Sequence, residues 1–145
     1  MSKTIIAVSG GFDPLHGGHL RLFREAKKYG DKLVVIMNND NWLMKKKGFV
    51  FMKQDEREDI LRSIRYVDDV IVTNHIKDCE DMSVCKELEK LNPNIFANGG
   101  DRFEWNIPEV NVCRRNNIRT MFNIGGTKTN SSTELVKKYM REHII

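Results

Sequence analysis

The sequence predicts an α/β fold in which a five-stranded parallel sheet carries helices on both faces. Short apolar runs alternate along the chain with segments whose apolar residues have helical spacing. The first two apolar runs are nearly continuous, as expected of strands buried on both faces. The chain has 145 residues, the usual size of one domain. We therefore expect a single domain over residues 1–145, with three α/β/α layers.

Five apolar runs are the predicted strands. In chain order they cover residues 5–8, 33–37, 70–72, 95–97 and 120–124. Each run is three to five residues long and rich in Ile, Val, Phe or Met, which favours strands over helices.

Helical patterns separate the strands. They are marked by Leu22, Phe23, Ala26 and Tyr29; by Ile60, Leu61 and Ile64; by Val84, Leu88 and Leu91; by a short segment after Pro108; and by Leu135, Val136, Tyr139 and Met140. Gly30 is placed to end the first helix, and Ser131 with Glu134 forms a capping box before the last. Residues 38–54 have no clear period and predict a long, partly mobile loop, which includes three consecutive lysines, Lys45–Lys47.

Composition limits the class of protein. The 24 basic and 20 acidic side chains give a formal net charge of +4, which by itself does not argue for nucleic acid and suits small anionic ligands equally well. The three cysteines are scattered and predict reduced thiols rather than a disulfide framework. No apolar run approaches the roughly 20 residues of a membrane span, and the N-terminus lacks a signal-peptide layout. We expect a cytoplasmic protein.

Ligands of open α/β sheets bind at the carboxyl ends of the strands. The segments that follow the predicted strands are residues 9–19, 38–54, 74–78, 98–102 and 125–133. Four of these five segments are rich in Gly, Asn, Lys, Ser or Thr. This concentration of hydrogen-bond donors and cations indicates a polyanionic ligand.

The first of these segments, residues 9–20, reads SGGFDPLHGGHL and contains two of the four histidines of the chain. His16 and His19 are three residues apart at a helix start, so they share one side, beside N–H groups that bind anions. The segment lacks the G-x-G-x-x-G spacing of a dinucleotide-binding loop, and the later Gly125–Thr129 segment has Thr127 where a Walker loop needs glycine. A zinc site needs three or four ligands, and no further ligand is suitably paired with these histidines.

The motifs resemble those of the nucleotidylyltransferase superfamily. Residues 10–19, GGFDPLHGGH, match its G-x-F-D-x-x-H-x-G-H signature. Glu56-Arg57 with residues 64–70, IRYVDDV, resembles the E-x-R and R-Y-V-D-E-V blocks of small cytidylyltransferases such as glycerol-3-phosphate cytidylyltransferase. Gly99-Gly100-Asp101 resembles the G-G-D of heptose-1-phosphate adenylyltransferases, and Ser132-Thr133 the S-T before the last helix. The resemblance implies a Rossmann-like fold.

The resemblance also implies the site. The implied catalytic residues are His16, His19 and Lys46, of which Lys46 lies eleven residues before Arg57, and Lys45 or Lys47 could take its place. The implied nucleotide- or substrate-binding residues are Gly10, Gly11, Phe12, Asp13, Arg57, Gly99, Gly100, Asp101, Lys128, Ser132 and Thr133. A divalent cation, Mg²⁺, is expected to bridge the phosphates, and we assign it no protein ligands. The Arg65–Val70 block is expected at a homodimer interface, with no nucleic-acid or membrane partner.

The implied reaction transfers a nucleoside monophosphate, with CMP favoured, from a nucleoside triphosphate to a phosphorylated polyol or sugar such as glycerol 3-phosphate. An alternative is adenylyl transfer from ATP to a sugar 1-phosphate, and a more distant one is a non-catalytic nucleotide-binding module. Two segments depart from the cytidylyltransferase pattern. Residues 127–133 read TKTNSST, without the arginine of R-T-E-G-I-S-T, and residues 102–109 form an unusual loop. Both lie where base and acceptor would be chosen.

Overall fold

The computed structural model describes residues 2–126 and 132–143, and it has the predicted α/β architecture. The strands are β1 Ile5–Gly10, β2 Lys32–Met37, β3 Asp69–Val72, β4 Ile95–Ala97 and β5 Arg119–Met121. The helices are α1 Gly17–Lys27, α2 Asp40–Lys47, α3 Gln54–Arg62, α4 Cys85–Leu91, α5 Glu109–Arg115 and α6 Ser132–His143. All strand pairs are parallel, in the order β3-β2-β1-β4-β5.

Two hydrophobic clusters cover the two faces of the sheet, as the continuous apolar runs predict. On one face Ile6 and Val35 pack in a cluster with Phe23 of α1 and Leu61 of α3. On the other face, the neighbouring strand residues pack with α4 and α5, in a cluster that contains Phe96. Because successive strand residues point to opposite faces, a strand buried on both faces needs an apolar residue at every position.

The direction in which successive strands are added across the sheet reverses at β1. The crossovers after β1 lead outward to β2 and β3, and the chain then returns to place β4 and β5 on the other side of β1. Pairing of β1 with β4 covers only Ile6 with Ile95 and Ala7 with Phe96, whereas β1 pairs with β2 as far as Gly10. The carboxyl ends of β1 and β4 therefore separate, and such a switch point is where open α/β sheets bind ligands.

Residues 38–54 are more ordered than the sequence predicts. They contain α2, capped by the Asn39 side chain, which accepts a hydrogen bond from Trp42 N at 3.0 Å. Gly48 ends the helix at φ 83°, the left-handed conformation that glycine adopts readily. The prediction of a loop was wrong because α2 has one buried residue, Leu43, and so shows no apolar stripe.

The predicted bounds of β5 and the role of Gly30 also need correction. The fifth strand ends at Met121, because Asn123 adopts φ 59° and Ile124 N donates to Asn98 O instead. Helix α1 ends at Lys27, before Gly30. A Cβ atom on Gly30 would lie 2.5 Å from Ile6 Cδ1 and 2.8 Å from Thr4 O. Gly30 is thus required for close packing against β1 and does not cap the helix.

No helix among residues 2–126 and 132–143 is both long and apolar enough to cross a bilayer.

We predict that Gly30→Ala lowers the free energy of unfolding by about 1–3 kcal/mol, because the added methyl group overlaps backbone at Thr4. Gly17→Ala is the matched control, since a Cβ there meets nothing within 4 Å and Ala favours a helix over Gly. Urea denaturation monitored by circular dichroism measures both variants. A Gly30→Ala protein as stable as Gly17→Ala would contradict the packing role.

Candidate functional site

A cavity of about 320 Å³ opens at the carboxyl ends of β1, β2 and β4. Its lining contains most of the predicted site residues. They are Gly10, Gly11, Phe12, His16, His19, Lys46, Gly99, Gly100, Asp101 and Ser132. The sheet thus brings together residues that lie more than a hundred positions apart in sequence, at the place that its switch point predicts.

The N-terminus of α1 forms one wall of the cavity and holds both histidines. His16 is the N-cap residue of α1, and its Nδ1 accepts a hydrogen bond from Gly18 N at 3.1 Å. His19 Nδ1 accepts from His16 N at 3.2 Å, which completes a reciprocal capping box. The two rings are stacked with centroids 3.9 Å apart. The histidines therefore serve as caps as well as lining residues.

This capping fixes which nitrogen of each ring carries the proton. A ring nitrogen that accepts a backbone N–H must be unprotonated, so a neutral imidazole bonded in this way carries its hydrogen on Nε2. Both rings in the capped arrangement can therefore donate from Nε2. They lie at the positive dipole end of α1, which also favours an anion.

Phe12 acts through its side chain. It is buried, and its ring packs edge-on against His19, with centroids 5.0 Å apart, and against Phe23, with centroids 5.5 Å apart. Its backbone adopts φ 54°, a conformation that costs free energy for a bulky residue and is often found at functional sites. The Phe12 ring supports the face of the His19 imidazole.

Helix α2 carries the three lysines toward the opposite wall. Lys46 and Lys47 line the cavity, whereas Lys45 is not among the lining residues. Lys47 also donates from Nζ to Asp13 O at 3.0 Å. Lys46 and Lys47 are therefore both placed at the cavity, and the selection of Lys46 stays a prediction.

Arg57 does not lie in the cavity, although the sequence analysis assigned it to phosphate binding. Its side chain is completely buried and forms hydrogen bonds with four other segments of the chain. Nη1 donates to Gly11 O and to Asn38 O, both at 2.7 Å. Nε donates to Met52 O at 2.9 Å, and Nη2 pairs with Asp40 Oδ1 at 2.7 Å. Every nitrogen of the guanidinium is thus bonded to protein, and these bonds hold together the segments that surround the cavity.

Asp13, which was also expected to bind the ligand, makes similar contacts within the protein. The residue is completely buried. Its two carboxylate oxygens accept hydrogen bonds from Phe51 N at 2.7 Å and Met52 N at 2.6 Å. Asp13 and Arg57 together join the loop after β1 to the segment between α2 and α3.

The glycines of the loop after β1 are needed for contacts within the protein. A Cβ atom on Gly11 would lie 3.0 Å from Leu43 Cδ2 and 3.2 Å from Trp42 Cζ3, both on α2. At Gly18 it would lie 2.9 Å from the His16 ring. At Gly11, one of the implied binding residues, and at Gly18, the approaching groups thus belong to the protein.

The segment after β4 contributes a residue that the sequence analysis did not select. Arg102 lines the cavity together with Gly99, Gly100 and Asp101. Its Nη1 lies 3.4 Å from Ser9 Oγ on β1 and 3.3 Å from Asn98 Oδ1 after β4, so the guanidinium bridges the switch point. Arg102 forms no ion pair within the described ranges, 2–126 and 132–143. It is a cation held at the switch point by two long contacts.

Only some of the other residues that line the cavity could have been identified from the sequence. Asn38 and Arg102 lie in the strand-end segments that the fold class singles out, so their position was a usable signal. Trp42 and Arg21 also line the cavity, but nothing in their spacing distinguishes them from core or surface residues of a helix. Their role depends on how α1 and α2 pack.

Helix α6 begins at the cavity. Ser132 is its first residue, and its hydroxyl donates to Pro14 O at 2.7 Å, which ties this helix to the loop after β1. The side chain of Thr133 and all of Lys128 lie outside the described residues, as does Ser131 of the predicted capping box.

No group of three His, Cys, Asp or Glu side chains able to hold a metal ion occurs in the part of the chain that the structure describes. Mg²⁺ keeps several waters and is commonly held through substrate phosphates and few protein carboxylates. This donor set is compatible with an ion held mainly by a triphosphate.

Comparison with known proteins agrees with this geometry. The cytidylyltransferase-like family matches residues 7–138, which include both histidines, the lysine run and the N-terminus of α6. The chain belongs to the cytidylyltransferase-like family. The resemblance inferred from the motifs is thereby confirmed.

Relatives within this group have different names. The chain is similar to FAD synthase of Pyrococcus abyssi, with 38% identity over 99 residues, which cover 67% of this chain and 63% of that protein. It is also similar to glycerol-3-phosphate cytidylyltransferase of Bacillus subtilis, with 44% identity over 71 residues, 49% of this chain and 54% of that protein. The chain thus spans less than two thirds of the length of either relative.

A solved structure shows the same fold. The lipopolysaccharide core biosynthesis protein from Thermoplasma volcanium has a TM-score of 0.68 and 22% identity, over 89% of this chain and 100% of that one. This likeness confirms the three-layer arrangement.

We predict that Arg57→Ala lowers the free energy of unfolding by about 3–5 kcal/mol, because it leaves buried carbonyl groups without donors. Arg62→Ala is the matched control in the same helix. Its half-exposed ion pairs with Glu58 and Asp69 are worth about 1 kcal/mol or less. Urea denaturation gives both values, and equal losses for the two variants would refute the positioning role of Arg57.

Proposed function

We propose that the protein transfers a nucleoside monophosphate from a nucleoside triphosphate to the phosphate group of a small acceptor and releases pyrophosphate. The observation that carries this proposal is the pair of imidazoles on the N-terminus of α1. Their Nδ1 atoms accept capping bonds, so each neutral ring carries its hydrogen on Nε2, on the side chain that lines the cavity. Lys46 lines the same cavity.

The chemistry requires positioning and charge stabilisation more than proton transfer. An oxygen of the acceptor phosphate forms a bond to the α-phosphorus, and the bond from the α-phosphorus to the bridging oxygen of the β-phosphate breaks. A phosphate monoester has its second pKa near 6, so it is mostly a dianion at neutral pH and needs no strong base. Negative charge develops on the bridging oxygen as pyrophosphate leaves, and donors aimed at that oxygen lower the barrier.

Residues of the cavity suit these roles. His16 and His19 donate to the triphosphate and to the leaving oxygen, and Lys46 adds a cation. The N-terminus of α6 with Ser132 offers N–H groups for the β- and γ-phosphates. Asp101 suits a ribose hydroxyl. Mg²⁺, when bound, neutralises phosphate charge, and the protein leaves its coordination mainly to phosphate oxygens and water.

The names of the relatives support two candidate donors. Glycerol-3-phosphate cytidylyltransferase indicates CTP, which the sequence motifs also favour, and FAD synthase indicates ATP. A matrix of four nucleotides against glycerol 3-phosphate, sugar 1-phosphates and FMN, with pyrophosphate release as the readout, selects among them. Absence of pyrophosphate in every combination would refute the proposed activity.

We predict that His16→Asn lowers kcat by about 10²–10³-fold while the melting temperature changes little. Asparagine is among the best N-cap residues, so its oxygen replaces Nδ1 as the acceptor for Gly18 N, but the Nε2 donor is lost. His143→Asn, at the exposed end of α6, is the control and should keep full activity. Full activity of His16→Asn would show that the imidazole is only a helix cap.

We infer in addition that two copies associate through residues 65–70. Strand β3 is an edge of the sheet, and edge strands present unpaired backbone groups to a partner. Arg65 lies beside it, exposed, with its guanidinium 5.0 Å from the Tyr66 ring centroid.

We expect sedimentation velocity to show a dimer that Arg65→Glu weakens at least tenfold. Arg24→Glu changes an exposed residue of α1 and should leave the association unchanged. A monomeric wild-type protein would refute this inference.

A further inference from the structure

Asn38 is a buried side chain whose carboxamide oxygen has no hydrogen-bond partner among residues 2–126 and 132–143. It follows β2, lines the cavity and is 4% exposed. Its backbone is fully engaged, because N donates to Gly10 O at 2.9 Å and O accepts from Arg57 Nη1 at 2.7 Å. Within residues 2–126 and 132–143, its Oδ1 has no hydrogen-bond partner. Since most buried polar side-chain atoms in native proteins are hydrogen-bonded, this oxygen calls for a partner from outside the chain.

Neighbouring asparagines show that the protein can satisfy such groups. Asn39 caps α2 through Oδ1 and donates from Nδ2 to His75 O at 2.9 Å. Asn98 occupies the matching position after β4, is equally buried and donates from Nδ2 to Met121 O at 3.2 Å. Asn38 differs from both because its carboxamide lies against the cavity. Its broad terminal torsion allows the group to turn toward a ligand there.

Charge indicates which part of the ligand Asn38 meets. Asn38 lies two residues before α2, and Lys46 and Lys47 of that helix line the cavity. On the β4 side, the lining contains one cation, Arg102, and one anion, Asp101. A dianionic acceptor phosphate is therefore favoured beside α2, whereas a neutral ribose tolerates the Asp101 side. Asn38 then lies next to the acceptor phosphate.

We propose that the Asn38 carboxamide binds a hydroxyl group on the carbons adjacent to the acceptor phosphate. This inference rests on the proposed nucleotidylyl transfer. A carboxamide oxygen accepts from O–H or N–H, so it cannot pair with the oxygens of a phosphate dianion, which carry no hydrogen. The acceptor is accordingly a phosphate monoester with free hydroxyl groups, a polyol or sugar phosphate, and simple alkyl phosphates are rejected.

Binding titrations test this inference without turnover. The probes are glycerol 3-phosphate, mannose 1-phosphate and FMN, each compared with propyl phosphate, for the wild type and for Asn38→Leu. We expect the wild type to bind at least one hydroxylated probe ten or more times more tightly than propyl phosphate. Asn38→Leu should reduce that ratio about tenfold, the usual effect of losing a hydrogen bond in a buried site. An unchanged ratio, or no preference in the wild type, overturns the proposal.

Stability provides the second readout. Leucine is close to asparagine in shape and removes a buried oxygen that has no partner among residues 2–126 and 132–143, so Asn38→Leu should leave the ligand-free melting temperature unchanged or raise it. Asn98→Leu is the matched variant and should lower it, because that amide is bonded to Met121 O. A fall for Asn38→Leu equal to that for Asn98→Leu would show a structural role and overturn the proposal. If the protein prefers the hydroxylated probes to propyl phosphate but releases no pyrophosphate, the proposed nucleotidylyl transfer is refuted and the role of Asn38 in binding is not.

Discussion

The buried guanidinium of Arg57 is the constraint on which the rest of the site depends. It bonds to the loop after β1, the end of β2, the start of α2 and the segment before α3. A planar cation with five donors can satisfy several carbonyl groups at once, and lysine has no equivalent geometry. Asp13 adds two charge-assisted bonds to the same segment before α3. The position of Lys46 follows from these contacts, because α2 is fixed at its start by Asp40.

The same architecture prepares the anion site before any ligand arrives. Helix α1 begins at the end of β1, and its cap is made by two histidines instead of by serine or aspartate. The backbone thereby dictates the orientation of each ring. The Phe12 ring packs edge-on against His19, and the Phe12 backbone adopts φ 54°. Donors that are already oriented need no reorganisation during the reaction, which is the main requirement for stabilising a developing charge. Asn38 extends this arrangement, since its backbone is fixed by Arg57 and its side chain is left for the ligand.

Much of the fold could be predicted from the sequence, because apolar runs and helical spacing report directly on burial. All five strands and a cavity at their carboxyl ends could be predicted from these patterns. Helix α2 could not be predicted, since its signals are a cap at Asn39 and a left-handed Gly48 without an apolar stripe. The internal contacts of Arg57 and Asp13 could not be predicted, because a motif shows which residues are required and cannot show whether they face ligand or protein. Arg102 and Asn38 lie in strand-end segments that the sequence singled out, but their place in one cavity depends on the sheet order.

The central claim is that the cavity directs attack at the α-phosphorus of a nucleoside triphosphate. The most direct measurement follows the phosphorus label in single turnovers with CTP or ATP radiolabelled at either the α- or the γ-position, in the presence of phosphorylated acceptors. The account predicts that α-label appears in the acceptor product and γ-label in pyrophosphate. Transfer of γ-label to the acceptor, or its release as inorganic phosphate, would contradict it.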